Sequence, residues 1–422
     1  MLKKFLFLKK ENNIKIIPYL IICILPLCLL SGSLYINLAV ILIDIFFIIE
    51  ILKKKIFSEF KNIFFILLSF FYCILILNIF FNTGDIFSFE RQIGFIRFLI
   101  FVFALKYYLI FNSKKYFDNI LNIWFIFFLI VTFDVFFEFI FGFNILGNTS
   151  YMEGRLSSFL GAELKIGNFY NGFIFLIISH LILKKKINLY TVTLIIIFFT
   201  ASFVIGERSN FLKIFIGFVL FIFLAKQIKY KIYILSSLII ISFSIGFLNK
   251  SINTRINQIV VPVKNMGIIN YVKTSHYGVH YATAYEIFLR NKIFGIGLKQ
   301  FRNESRKEIY KNNVNNIYNR DNWATHPHQT HFEVLSETGI IGYISFIIIF
   351  MIAISISFKK YLESKNIYLL SGLIFVVTSL IPILPSGSFF TTYSATIFWM
   401  NFAFMISFYK KRDSLNDKPK NN

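Results

Sequence analysis

The chain predicts an all-α, polytopic membrane protein with about 12 transmembrane helices and one long outer loop. Three observations lead there. Of its 422 residues 57% are hydrophobic and 15% charged, a balance unlike that of a water-soluble chain of this length. Apolar runs of about eighteen residues or more recur from one end to the other. Lysines gather in the links between alternate pairs of those runs, as a topology signal does. A net charge of +23 would point to nucleic acid in a soluble protein; here the lysines belong to the links, and no nucleic-acid partner is implied.

The runs fall at roughly 14–31, 34–52, 63–81, 93–111, 118–141, 166–183, 187–205, 209–225, 231–249, 332–357, 366–384 and 389–409. At about 1.5 Å per residue each is long enough to cross a hydrocarbon core about 30 Å thick. The first is read as a retained span, because no small-residue cleavage site follows it. Basic links at Lys3 to Lys10, Lys53 to Lys55, Lys106 to Lys115, Lys184 to Lys186, Lys226 to Lys231, Lys359–Lys360 and Lys410 to Arg412 alternate with lysine-poor ones. The positive-inside rule then puts both termini in the cytoplasm. The organisation expected is spans one to nine with short loops over 1–249, a long outer loop with amphipathic helices over 250–331, spans ten to twelve over 332–409, and a polar cytoplasmic tail over 410–422. The outer loop carries twelve basic residues against four acidic ones, a surplus that suits an anionic substrate.

Dense polar motifs all fall on the outer side of this plan. They are Gly154-Arg155-Leu156-Ser157-Ser158, Gly206-Glu207-Arg208-Ser209-Asn210, Phe294-Gly295-Ile296-Gly297-Leu298-Lys299-Gln300-Phe301, and Thr325-His326-Pro327-His328-Gln329-Thr330-His331, which runs on to Glu333 and Glu337-Thr338-Gly339. Arg208 reads either as a snorkelling anchor or as a guanidinium fork for phosphate, with Glu207 as its ion-pair partner. Arg155 has the same two readings, solvated loop residue or phosphate ligand. The histidines admit three: interfacial caps on the tenth span, a metal site with His328 and His331 one helical turn apart, or a general base that titrates near neutrality. His326, ahead of a proline, should be extended. His276 and His280 are weaker candidates. Asp134 and Glu138 share a helix face; they either line the cavity near the outer surface or hydrogen-bond to neighbouring helices, and the second reading is favoured. Cys23, Cys28 and Cys73 have no metal spacing.

These four motifs, in this order around a long loop before the tenth span, resemble the O-antigen ligase and O-antigen polymerase family of membrane glycosyltransferases. In that family a His-Asn pair opens a helix, with an acidic residue, a glycine and two aliphatics about two turns later; here Gln329 stands in the Asn position. The resemblance implies an all-helical enzyme of the bacterial inner membrane that works on the periplasmic face. It would take a glycan from a polyprenyl diphosphate carrier and join it to lipid A-core or to another glycan acceptor, with no cofactor and no metal. It implies His328 as the general base, Arg208 and Arg155 as ligands of the diphosphate, and His326, Gln329, His331, Glu337, His280 and Glu207 in support. The alternatives are a polysaccharide polymerase of the same family and a transporter or flippase of lipid-linked sugars.

Overall fold

The computed structural model describes residues 16–55, 57–81, 86–111, 114–161, 163–185, 187–228, 230–248, 250–310 and 323–407. The chain termini, Lys186, Lys229 and Asn313 lie outside them. All regular secondary structure among the described residues is helical. The helices are α1 (Ile16–Ser31), α2 (Ser33–Lys54), α3 (Ile63–Phe81), α4 (Ile86–Gly94), α5 (Ile96–Phe111), α6 (Lys114–Phe141), α7 (Ile166–Lys185), α8 (Leu189–Val204), α9 (Arg208–Leu224), α10 (Lys231–Leu248), α11 (Lys250–Thr274), α12 (His276–Arg290), α13 (Phe301–Glu304), α14 (Thr330–Ser364), α15 (Ile367–Ser379) and α16 (Thr392–Ser407).

Every one of the twelve apolar runs coincides with a helix. Six segments, α2, α3, Phe89–Ile110, α6, α7 and α14, are long and apolar enough to cross a membrane. Others such as α1, α8 and α15 are apolar but shorter. With several such helices the chain is a multi-pass membrane protein.

Side-chain caps start several helices. Asn188 accepts from the Thr191 amide at 2.9 Å, Ser275 from Gly278 at 3.0 Å, and Asn366 from Tyr368 at 2.9 Å. Each satisfies a donor that the first turn leaves open. α7 and α16 are buried along nearly their whole length and form the centre of the bundle. Small residues let backbones meet there: a Cβ on Gly372 of α15 would stand 2.5 Å from the Asn401 carbonyl oxygen of α16. Polar side chains then tie helix to helix, as where Asn401 donates to the Gly172 carbonyl at 3.0 Å and Trp124 to that of Ile22 at 2.8 Å.

The bundle has two unlike ends. At one, Lys114, Lys184 and Lys365 line a cavity of about 360 Å³ with Asp118, Gln227 and Asn366, and Lys184 pairs with Asp118 at 2.9 Å. At the other end α6 finishes, α7, α9, α14 and α16 begin, and the four polar motifs meet. Asp134 and Glu138, in the last turns of α6, hold that end together. Asp134 accepts from the Ile145 amide at 2.7 Å and the Ser158 hydroxyl at 2.5 Å. Glu138 accepts from the Ser158 amide at 2.6 Å and the Ser157 amide at 3.1 Å. The pair does hydrogen-bond, but to the segment that follows α6 and not to neighbouring helices.

Candidate active site

The histidine segment is not the start of a helix but the bend before one. Gln329 is extended (φ −155°, ψ 129°) and its side-chain oxygen accepts from the Phe332 amide at 2.9 Å, so α14 begins at Thr330. His328, one residue earlier, is left-handed at φ 58°. A non-glycine residue there costs on the order of 1–3 kcal/mol, which the surroundings must supply. Here the Ser386 amide donates to the His328 carbonyl at 2.7 Å, and the Thr330 and Ser386 hydroxyls bond at 3.1 Å.

This corrects the idea that His328 and His331 share a helix face. The His328 ring lies beside His326, His280 and Tyr277, with centroids 4.1, 5.4 and 5.6 Å away. His280 and His276 approach through their Nε2 atoms at 3.2 Å. His331 turns the other way, to the Leu380 carbonyl at 2.8 Å and the Tyr343 hydroxyl at 3.3 Å. Burial first, then the charges of His280 and His276, push His328 down to about 4. Burial and the charges of His328 and Lys299 push His326 well below its ordinary value. Both rings are therefore neutral, and acceptors of protons, near pH 7. Among the described residues no three His, Cys, Asp or Glu side chains converge in the way a metal site requires.

The glycine-rich turn docks onto α14 where that helix breaks. Gly339 is left-handed at φ 66° inside α14. A Cβ on it would meet the Ile293 carbonyl oxygen at 2.3 Å, and one on Gly295 would meet the Glu337 carbonyl carbon at 2.5 Å. The Gly297 amide donates to the Glu337 carbonyl at 2.8 Å, and the Lys299 amide to the Glu337 carboxylate at 2.8 Å. The sequence elements Gly-x-Gly and Glu-Thr-Gly are thus two halves of one joint. Lys299, itself left-handed at φ 65°, places its buried ammonium 3.5 Å from the buried Glu333 carboxylate. Ser388 donates to Glu333, and so does the Phe389 amide at 2.7 Å. Burial lowers the Lys299 ammonium against the pull of Glu333 and Glu337. Glu337 is structural in this arrangement, a clasp for the turn.

The arginines come from the two other motifs, which also interlock. The Leu156 amide donates to the Ile205 carbonyl at 3.0 Å, and the Gly154 carbonyl lies 2.0 Å from where a Cβ on Gly206 would be. Glu207 is buried and accepts from the Gly167 amide at 2.8 Å and Asn210 at 2.6 Å. Its ion-pair partner is Arg155, at 3.7 Å, and not its neighbour Arg208, because α9 starts at Arg208 and turns that side chain away. Arg155 also donates to the Leu164 carbonyl at 2.8 Å, so it is not a freely solvated loop residue. Arg208 donates to Gln258 of α11 at 2.7 Å and leaves its Nε without a partner. It lies in electrostatic reach of Arg155, Tyr271 and Tyr277.

Tyr277 therefore stands between the arginines and His328. Arg208 and His328 thus share Tyr277 as a neighbour, and the buried Lys299 lies in electrostatic reach of His326. A small cavity of about 40 Å³, lined by Asn168, Asn210, Lys213, Thr330 and Ser386, has room for ordered water. Sequence reasoning missed Tyr277 and Ser386 as members of this centre, and it named Lys299 and Glu333 within their motifs without pairing them. Lys299 carried the one available signal, a lone cation inside the otherwise uncharged stretch Phe294–Phe301.

The fold and this centre define a class: a multi-pass helical membrane protein with cationic and imidazole side chains gathered at one end. A family model described as O-Antigen ligase matches residues 192–347, from α8 to the upper part of α14. The matched region is similar to that family and includes Arg208, the glycine-rich turn and His328; Arg155 lies outside it. No curated protein matches the chain.

Proposed function

We propose that the protein is a membrane glycosyltransferase of the ligase type. It moves a glycan from a polyprenyl diphosphate carrier to a hydroxyl of lipid A-core or a related glycan acceptor at the periplasmic face of the inner membrane. The observation that carries this reading is the placement of a neutral, strained His328 beside Tyr277, with Arg208 and Arg155 on the far side of that tyrosine.

In this reading Arg208 and Arg155 grip and neutralise the diphosphate, a task suited to planar, permanently charged forks. His328 takes the proton of the acceptor hydroxyl. The hydroxyl oxygen attacks the anomeric carbon, the bond from that carbon to the diphosphate oxygen breaks, and the carrier diphosphate leaves with the bonding pair. The sugar–diphosphate bond supplies the driving force, so no nucleotide is needed, and the two arginines give the leaving diphosphate the charge stabilisation a metal would otherwise supply. Gln329 is committed to capping α14 through its side-chain oxygen, which leaves its amide nitrogen for the acceptor. Burial, with His280 and His276, keeps His328 neutral, and Glu207 orients Arg155.

The test is transfer by the purified protein in nanodiscs, with a polyprenyl diphosphate glycan and either lipid A-core or a second carrier-linked glycan as acceptor. Ligation to lipid A-core that survives strong chelators is the expected result. Elongation of the carrier-linked glycan alone makes the protein a polymerase, and movement of the donor across the bilayer without transfer makes it a flippase. The orientation is tested separately on a Cys-free background. A membrane-impermeant thiol reagent should label Lys307→Cys and spare Lys185→Cys in cells with a permeabilised outer membrane.

A further inference from the structure

A second cationic pocket lies on the other side of Lys299 from the histidines, and neither the motifs nor the reading above uses it. It encloses about 220 Å³ between the end of α4, the start of α5, the glycine-rich turn and the start of α16, and its walls include Arg91, Arg97, Glu90, Leu298 and Thr392. Drug-sized ligands take sites of about 300–1,000 Å³, so this space suits a compact headgroup.

The two guanidiniums are differently held. Arg91 is exposed on α4. Arg97 is half-buried, donates to the Gly94 carbonyl at 2.8 Å and lies over the Phe98 ring at 4.5 Å. Its Nε is buried with no hydrogen-bond partner. Neither forms an ion pair among the described residues, although Arg97 feels the charge of Asp44 in α2 and of Arg91, and Glu90 contributes a carboxylate to the rim. A buried, unmatched donor beside a second arginine is a site waiting for acceptor oxygens.

Its position is set by a rigid path to the catalytic region. Gln92 donates to Asn78 at 2.6 Å, and Asn78 donates in turn to the Phe294 carbonyl, one residue ahead of Gly295. The Phe81 and Phe294 rings stack at 3.8 Å. Lys299 is in electrostatic reach of Arg91 on one side and of His326 on the other. A two-substrate transfer needs the acceptor hydroxyl delivered to His328 from a direction the donor does not fill. The Arg91–Arg97 pocket takes no part in holding the donor diphosphate on Arg208 and Arg155, so it is available to the second substrate.

We propose that the Arg91–Arg97 pocket binds a phosphate group of the acceptor and so orients its hydroxyl toward His328. This rests on the glycosyltransferase reading. Because the phosphate is remote from the reacting atoms, loss of the pocket is read first in acceptor KM, with any loss of orientation following in kcat.

The experiment compares a phosphorylated lipid acceptor with the same acceptor after phosphatase treatment, using full-length protein in phosphatidylcholine nanodiscs. Wild type should favour the phosphorylated form. Arg91→Ala and Arg97→Gln should raise KM for it roughly 10- to 100-fold, the scale of a lost charge-assisted hydrogen bond, and leave KM for the donor and for the dephosphorylated acceptor as they were. Arg91→Lys should recover part of the preference. An unchanged preference in both variants, or a donor KM that rises equally, overturns the proposal. If wild type transfers to no acceptor, the functional reading fails, and the pocket is judged by binding of radiolabelled pyrophosphate in the same nanodiscs. Loss of a site in Arg91→Ala supports a phosphate pocket and equal binding overturns it. Pyrophosphate that fails to bind, with Arg91-dependent thermal stabilisation by phosphatidylglycerol nanodiscs alone, assigns the pocket to membrane lipid and overturns the acceptor role.

Discussion

Ser386 fixes the backbone of His328: its amide donates to the His328 carbonyl at 2.7 Å and holds that residue in the left-handed region at φ 58°. The imidazole is thereby aimed out of the helix axis, toward His280 and Tyr277. Loss of a general base typically costs about 10²- to 10⁴-fold in rate, so His328→Ala should fall by that factor with donor binding retained. Ser386→Pro removes the donor and should lower kcat about tenfold, the scale of one hydrogen bond. Ser386→Ala keeps the amide and should lose much less. Steady-state kinetics on the three variants decides it; a fully active His328→Ala protein would place the base elsewhere.

The pH profile follows from the histidine cluster. A general base works in its neutral form, and burial with the charges of His280 and His276 brings His328 down to about 4. Neutral imidazole is thus available above about pH 4 and is lost as the pH falls through that value. The kcat/KM should be level across about pH 5–7 and fall on the acid side below about 4. His280→Gln removes a like charge and should move the acid limb to higher pH. A wild-type limb at the ordinary histidine value of 6.5 contradicts the assignment.

Arg208→Lys tests the phosphate grip. It keeps the charge but not the planar fork, and it also loses the bond to Gln258, 2.7 Å long in the native chain. Transfer should drop at least tenfold with the protein level unchanged, and Arg208→Ala should be no milder. Full activity with lysine would mean that Arg208 acts as a point charge or as an interfacial anchor.

Lys299 and Glu333 are a buried pair, 3.5 Å apart with side chains 4% and 0% exposed. Removing one partner strands the other, at a typical cost of about 3–5 kcal/mol. Lys299→Met should lower the thermal unfolding midpoint in detergent sharply. The double change Lys299→Met with Glu333→Leu should recover most of the loss, because no stranded charge remains. Equal destabilisation in single and double variants would show that the pair is maintained for something other than charge balance.

Hydropathy made the helices legible because each apolar run is also a hydrogen-bonded unit. α3 occupies the run read at 63–81 without a residue's difference. The departures have local causes. α14 continues past the apolar run through Lys359 and Lys360 to Ser364, because polar residues still propagate a helix until Lys365 turns left-handed at φ 50°. α15 stops at Ser379, short of the run's end, since Pro382 and Pro385 cannot continue it. α16 starts at Thr392 because Phe389 and Phe390 belong to the loop, where the Phe389 amide serves Glu333. The site was legible where chemistry sits in compact motifs: Arg155, Arg208 and His328 do lie at one end of the bundle. Pairings between motifs were not. That Glu207 faces Arg155, that His331 faces Leu380, and that Lys299 meets Glu333 depend on how distant loops stack, and spacing along the chain carries no record of it.

The break at Gly339 is clamped on both sides. Before it, Glu337 is held by the Gly297 and Lys299 amides; just past it, the Ile340 amide donates to the Lys292 carbonyl at 2.8 Å and the Ile341 amide to that of Ile293 at 3.4 Å. A bilayer of different thickness changes the tilt of a spanning segment, and a helix clamped on both sides of its break passes such a change on to the turn that clamps it. The glycine-rich turn, and Lys299 with it, is in this way mechanically continuous with the spanning part of α14.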